Sequence, residues 1–226
     1  MAHENKTDDG VLKVEETLSR AELFIETHQK NIAIVIGAIV LVVGGYLGYK
    51  NFYAAPREKE AQEQIFGAQQ YFEKDSFKLA LKGDGNNPGF LRVIDEYGST
   101  DAGNLAHYYA GICYLKTGEF QKAIDNLESF SSSDEFVGPI AIGAIGDCYL
   151  ELGKTDQAIE NYIKASKKSE NEMTTPLYLM KAGLASEVKG DYKSAFEYYT
   201  TIKEKYKKSQ QATEIDKYIA RAELKK

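Results

Sequence analysis

The hydrophobic pattern of this chain changes character near residue 50. From Ile32 to Tyr49 no charged residue interrupts an apolar run, which is flanked by Lys30 and Lys50. Those 18 residues span about 27 Å as a helix, close to the thickness of a hydrocarbon core. Ten of them are Ile, Leu or Val, and together they favour insertion by about −3 to −6 kcal/mol. Tyr46, Tyr49, Phe52 and Tyr53 crowd the C-terminal end and suit a membrane interface. The pattern predicts a transmembrane helix over 31–53. Before it, Leu18, Ala21, Phe24, Ile25 and His28 recur at helical spacing. They predict either an amphipathic helix over 16–30 on the membrane surface or a helical extension of the span. Residues 1–15 are polar and predict a disordered tail.

The run is longer than the apolar core of a signal peptide, and a polar stretch with seven acids against four Lys/Arg precedes it. The small pair Ala54-Ala55 sits between Tyr53 and Pro56, a poor cleavage site, so an uncleaved anchor is expected. No cysteine lies near the N-terminus, which argues against a lipid anchor. Lys13, Arg20 and Lys30 balance Lys50, Arg57 and Lys59, so the positive-inside rule gives no orientation. Gly37, Gly44, Gly45 and Gly48, with Ala33, form small patches within the span. Small residues allow a second transmembrane helix to approach closely.

Beyond Pro56 the apolar positions repeat. Gly111, Cys113, Tyr114, Gly118, Ala123 and Leu127 return 35 residues later as Gly146, Cys148, Tyr149, Gly153, Ala158 and Tyr162. Gly183, Gly190, Ala195 and Tyr199 fill the same slots a further 37 residues on. A weaker copy upstream has Tyr71, Asp75 in the glycine slot, Phe77 and Ala80, and then about eight extra residues around Gly83–Pro88. Each unit reads as a helical hairpin. A glycine in the first helix admits the second helix, and a second glycine ends the first helix in a left-handed turn. This pattern resembles the tetratricopeptide repeat family over roughly 61–203. The first-position aromatic usual there is replaced by His107, Ile142 and Leu179. Ala212, Ile215, Ile219 and Ala220 predict a C-terminal capping helix. The fold class expected is all-α: an N-terminal transmembrane helix, then a tetratricopeptide-repeat α-solenoid over 57–226 with about four repeats and the cap.

Composition excludes more than it adds. Net charge is −6, which disfavours nucleic acid. His3, His28 and His107 are far apart, and no metal-ligand spacing or phosphate loop exists. Asp84 among Gly83, Gly85, Asn86 and Asn87 resembles a calcium loop only faintly and reads as a polar turn. No catalytic residue and no cofactor are expected. Cys113 and Cys148 share one slot of adjacent repeats and are expected as buried free thiols.

Tetratricopeptide proteins bind extended peptides or helices on the concave face. The resemblance places Ile65, Gln69 and Phe72 there from the first repeat. It adds Leu105, Tyr108, Ile112 and Leu115 from the second, and Ile140, Gly143, Asp147 and Leu150 from the third. Leu177, Met180, Leu184 and Val188 follow from the fourth. The basic residues that clamp a carboxylate in chaperone-binding relatives are missing. The apolar row is either a groove for a partner segment or a surface covered by the chain's own C-terminal helix.

The order of segments is similar to the ancillary subunit of the bacterial Sec translocon. Its features are the polar tail, the helix with Phe24, the Gln29-Lys30-Asn31 junction and the glycine-bearing span, followed by degenerate repeats. Gly83-Asp84-Gly85, Gly103-Asn104-Leu105-Ala106 and Tyr108-Tyr109-Ala110-Gly111 resemble the form found in Bacteroidota. The resemblance implies a non-enzymatic scaffold in the inner membrane, with a cytoplasmic N-terminus and periplasmic repeats. The implied partners are the translocon channel, a periplasmic prolyl-isomerase-like chaperone and emerging exported polypeptides. Two rivals stay open: an adaptor with cytoplasmic repeats, and an accessory assembly subunit of another envelope complex.

Overall fold

The computed structural model describes residues 8–226, with side chains from Phe24 onward. The expected tail over 1–7, and the side chains of Leu18 and Ala21, lie outside the described residues. No strand occurs among the described residues. The chain divides into two compact units, Met1–Pro56 and Arg57–Lys226.

The first unit is dominated by α1 (Asp8–Tyr49). Residues 8–15, expected as tail, already belong to this helix. Gly10 is the only residue of that stretch with a strong helix penalty, and the others offer no break. A π-helical turn (Lys50–Ala54) follows, in which the Ala55 N–H bonds the Lys50 carbonyl. One segment of the helical stretch starting at Phe24 is long and apolar enough to cross a membrane by length and composition. Its apolar side chains, such as Leu41 and Val42, are exposed. No side chain lies within 4 Å of a Cβ built on Gly37, Gly44, Gly45 or Gly48.

The second unit is a stack of helical hairpins. Its helices are α2 (Ala55–Glu73), α3 (Phe77–Lys82), α4 (Phe90–Tyr97), α5 (Asp101–Lys116) and α6 (Phe120–Ser129). They continue as α7 (Val137–Glu151), α8 (Thr155–Lys168), α9 (Thr174–Lys189), α10 (Tyr192–Lys205) and α11 (Ile215–Lys225). The pairs are α5/α6, α7/α8 and α9/α10. The first repeat departs from the expected simple hairpin. Its second helix is broken into α3 and α4 by the extra residues around Gly83–Pro88, where Gly83 and Pro88 form an isolated bridge. Gly83 has φ +81°, and a Cβ there would lie 2.2 Å from the Asn87 carbonyl oxygen, so the turn requires glycine.

The turn inside each pair is built the same way four times. Asp75, Gly118, Gly153 and Gly190 stand at φ +54°, +80°, +71° and +86°. Around them the N–H groups of Ser76, Glu119, Lys154 and Asp191 reach back to the carbonyls of Tyr71, Tyr114, Tyr149 and Ser186 at 2.8–2.9 Å. This is the six-to-one bond of a Schellman ending, and the left-handed residue makes it. Asp75 fills the slot because aspartate tolerates that region better than most side chains.

Two layers of contact hold the stack. Within a pair, a Cβ on Gly111 would meet Leu127 at 2.5 Å, on Gly146 would meet Tyr162 at 2.6 Å, and on Gly183 would meet Tyr199 at 2.3 Å. Between pairs, a Cβ on Gly143 would lie 1.9 Å from the Tyr178 ring. Tyr162, Tyr199 and Phe90 are fully buried. In the first two repeats an aromatic run links Phe77, Phe72, Phe90, Tyr109, Tyr108 and Phe130 through ring contacts of 5.0–6.4 Å. At the far end α11 seats Ile215 and Ala222 against Leu179, Ala195, Tyr199 and Ile202. It continues the stack as a half-repeat, the expected cap, although Ala222 and not Ala220 is the buried alanine.

Gly143→Ala tests the contact between pairs. The Tyr178 ring is itself buried and cannot step aside. Overpacking of this kind costs about 1–3 kcal/mol, against which alanine returns up to about 1 kcal/mol of helix propensity. Urea denaturation is expected to show a net loss of stability. The same change at Gly37, where nothing lies within 4 Å, is expected to leave the unfolding of the repeat unit unaltered.

Candidate functional site

The first helices of the pairs carry the slots expected to line a groove. Ile65 is buried in the core, and Phe72 packs edge-on against Phe77, Phe90 and Tyr109. Leu105, Tyr108, Ile112 and Leu115 are half-buried against the same core. Leu177 packs beside Tyr178 and Ala182, and Met180 beside Leu179 and Ile202. Ile140 is half-buried. The resemblance placed these residues in one row, but many of them serve helix packing. What stays open is Leu150 at 39% exposure, Leu184 at 39% and Val188 at 75%. They lie on the C-terminal halves of α7 and α9, with Leu152 exposed just beyond α7. The C-terminal helix leaves all of them exposed.

Asp147 has a role that sequence reasoning did not find. Its carboxylate accepts a hydrogen bond from the Tyr162 hydroxyl at 2.7 Å and pairs with the Lys181 ammonium at 2.7 and 2.8 Å. Lys181 also stands over the Tyr162 and Tyr178 rings. The group ties three consecutive helices together. A second such group follows. The Tyr199 hydroxyl donates to Glu187 at 3.0 Å, and Arg221 pairs with Glu187 at 2.7 Å while lying over Tyr218. Burial first, and the acid second for Tyr162, pushes both tyrosines well above their ordinary value. Acid, tyrosine and next-repeat cation thus recur, with the tyrosines 37 residues apart but the acids and the cations 40 apart, about one helical turn further along. That shift hid the recurrence from an alignment at fixed offset.

Two helix starts share an unpredicted device. Asp134 accepts from the N–H groups of Phe136 and Val137 at 2.8 Å. Asn171 does the same for Met173 and Thr174 at 2.9 and 2.7 Å. The spacing Asx-Glu-apolar was readable as a cap signal in the sequence.

The Asp84 loop is a closed turn. Its carboxylate accepts from the Tyr71 hydroxyl at 2.6 Å, the N–H groups of Asn86 and Asn87 at 2.9 and 2.7 Å, and the Asn87 amide at 3.3 Å. Those donors occupy the oxygens a cation would need. No cluster of three potential metal ligands occurs among the described residues. Cys113 and Cys148 are both buried and free, as expected. Burial pushes each thiol up to about 12.

Comparison with known proteins agrees with this geometry. Residues 105–133 match the family described as Tetratricopeptide repeat. The match starts within α5 and passes through α6 into the following loop. No curated protein matches the chain. The described residues form one long apolar helix followed in sequence by an all-helical repeat stack, and a repeat of this kind suggests a protein-interaction scaffold.

Thiols at about 12 carry a thiolate fraction on the order of 10⁻⁴ near pH 8. Native protein is therefore expected to resist iodoacetamide and to take up two labels once unfolded in guanidinium chloride. Mass spectrometry reads the count.

The Asp84 loop gives a pH dependence with a definite sign. The Tyr71 hydroxyl, and then the Asn87 N–H, hold the carboxyl well below its ordinary 3.8. A carboxyl lowered in the folded state adds stability above its unfolded value and loses it as pH falls through the folded one. Asp84→Asn is expected to lower the melting temperature at neutral pH. The difference from the parent should shrink as pH drops below about 4.

Proposed function

We propose that this chain is a membrane-anchored interaction scaffold acting at the Sec translocon, with its repeats exported and its N-terminus in the cytoplasm. The observation that carries the scaffold reading is the open apolar row of Leu150, Leu184 and Val188 on a repeat stack behind a span-length apolar helix. Exposed apolar side chains on the first helices of two successive repeats suit a partner segment laid across them. The translocon assignment is supported by the order of segments in the sequence: tail, surface helix, glycine-bearing span, degenerate repeats. Its partners are the channel, a periplasmic prolyl-isomerase-like chaperone and emerging chains. The open glycine face of the span, Gly37, Gly44 and Gly48, is where another transmembrane helix packs.

Three measurements test this. A reporter that folds only after export, fused at Lys226, should be active, and co-purification in mild detergent should recover the channel. Leu150→Glu with Leu184→Glu should abolish chaperone or client capture. Because both sites are exposed, stability should stay within about ±0.5 kcal/mol. Unchanged capture with unchanged stability moves the binding surface away from this row.

A further inference from the structure

We infer that the cleft between the α5/α6 and α7/α8 pairs is a second docking site, shaped for a short partner helix with aliphatic side chains on one face and acids on one flank. It is independent of the apolar row, since none of Leu150, Leu184 and Val188 lines it.

The cleft exists because α6 stops early. At the 35-residue offset Ser129 aligns with Lys164, so Phe130–Ser133 stand where α8 makes its last turn, Ala165–Lys168. In α8 that turn buries Ala165 and Ser166. In the second repeat the chain leaves the helix instead, with Phe130 at φ −81°, ψ 134°. The Phe130 ring settles 5.3 Å from the Tyr108 ring. The Asn104 amide then holds Ser131 by a reciprocal pair: its Nδ2 donates to the Ser131 carbonyl at 2.8 Å, and its Oδ1 accepts from the Ser131 N–H at 3.0 Å. The loop is pinned to α5, so a cleft stays open beside the N-terminal half of α7, where Ile142 is half-buried.

The space left is about 990 Å³, at the upper end for pockets that take small ligands. Its apolar lining is the half-buried Ile142, backed by the buried Leu127 and Ile145. Lys164 and Lys168 line the α8 side, four residues apart and so on one face of that helix. Both are exposed, and neither enters an ion pair among the described residues. Glu128 from α6 and Asp101 from the start of α5 also line the cleft, opposite in sign. An occupant negative all round is repelled there, whereas one with acids only toward α8 is matched. A helical turn from a partner restores the layer that α6 fails to complete.

The probe is a stapled three-turn helix built from Leu, Ile, Ala and Glu, with its glutamates on one flank and a fluorescein label. It is titrated against the full chain in detergent and read by anisotropy. Saturable binding is expected, weakened at least tenfold by Lys164→Glu with Lys168→Glu. Ser133→Trp should also weaken it by filling the cleft, and Asn104→Ala by releasing the loop that keeps it open. Lys164, Lys168 and Ser133 are exposed, so unchanged thermal melts should accompany these losses. Leu150→Glu with Leu184→Glu should leave probe binding unaltered. The proposal is overturned by absence of saturable binding, or by equal binding of a probe with lysines for glutamates. Insensitivity to both Lys164→Glu/Lys168→Glu and Ser133→Trp, or loss with the Leu150/Leu184 variant, overturns it too.

Discussion

The close approach of a bare helix backbone to a buried side chain governs the repeat unit. Gly111, Gly146 and Gly183 each leave the space into which Leu127, Tyr162 and Tyr199 fit, at distances where no Cβ is tolerated. Gly143 does the same for Tyr178 across the boundary between pairs. These contacts set the spacing of the helices, and the left-handed residue four positions after each turn's tyrosine or serine sets their direction of return. A chain built this way has little freedom in how one hairpin meets the next. Each hairpin is too small to bury its own faces, so stability comes from neighbours.

The ring that fills the glycine notch also decides where polar groups collect. Tyr162 and Tyr199 are buried, and the hydroxyl of a buried tyrosine needs a partner. Asp147 and Glu187 supply it, and each carboxylate then draws a cation from the following repeat, Lys181 or Arg221. The second repeat has Leu127 in the ring's place, with Ile112 and Ala144 where an acid and a cation would stand. No such acid–tyrosine–cation tie crosses that boundary among the described residues, and it is there that the loop after α6 swings onto α5 and leaves a cleft. The missing tie and the cleft therefore lie at one seam.

Much of this was legible without coordinates. The glycine slots, the turn glycines, the paired cysteines and the cap follow from a period of 35–37 residues, because backbone geometry fixes them and only glycine or a tolerant substitute satisfies it. Two things were not legible. The break between α3 and α4 arises from extra residues whose local bonds around Asp84 compete with helix, and periodicity says nothing of where such a loop closes. The open row was also overdrawn. Ile65, Phe72 and Leu177 obey the same apolar spacing as Leu150 and Leu184, since packing against a neighbouring helix and facing a groove ask for the same residue types. Only the position of the next helix tells them apart.

That ambiguity ends where neighbours end. Ala141 and Ala144 are buried in the N-terminal half of α7, and Thr174, Thr175 and Tyr178 in that of α9, while Leu150, Leu184 and Val188 emerge at the C-terminal halves. An apolar side chain left in water adds nothing to the folded state, so the stack gains no stability from keeping Val188 as valine at 75% exposure. Lysine or glutamate would serve solubility better at each position. Leu150, Leu184 and Val188 are apolar surface that the fold does not fully use, and it is on them that the proposed scaffold draws for binding energy.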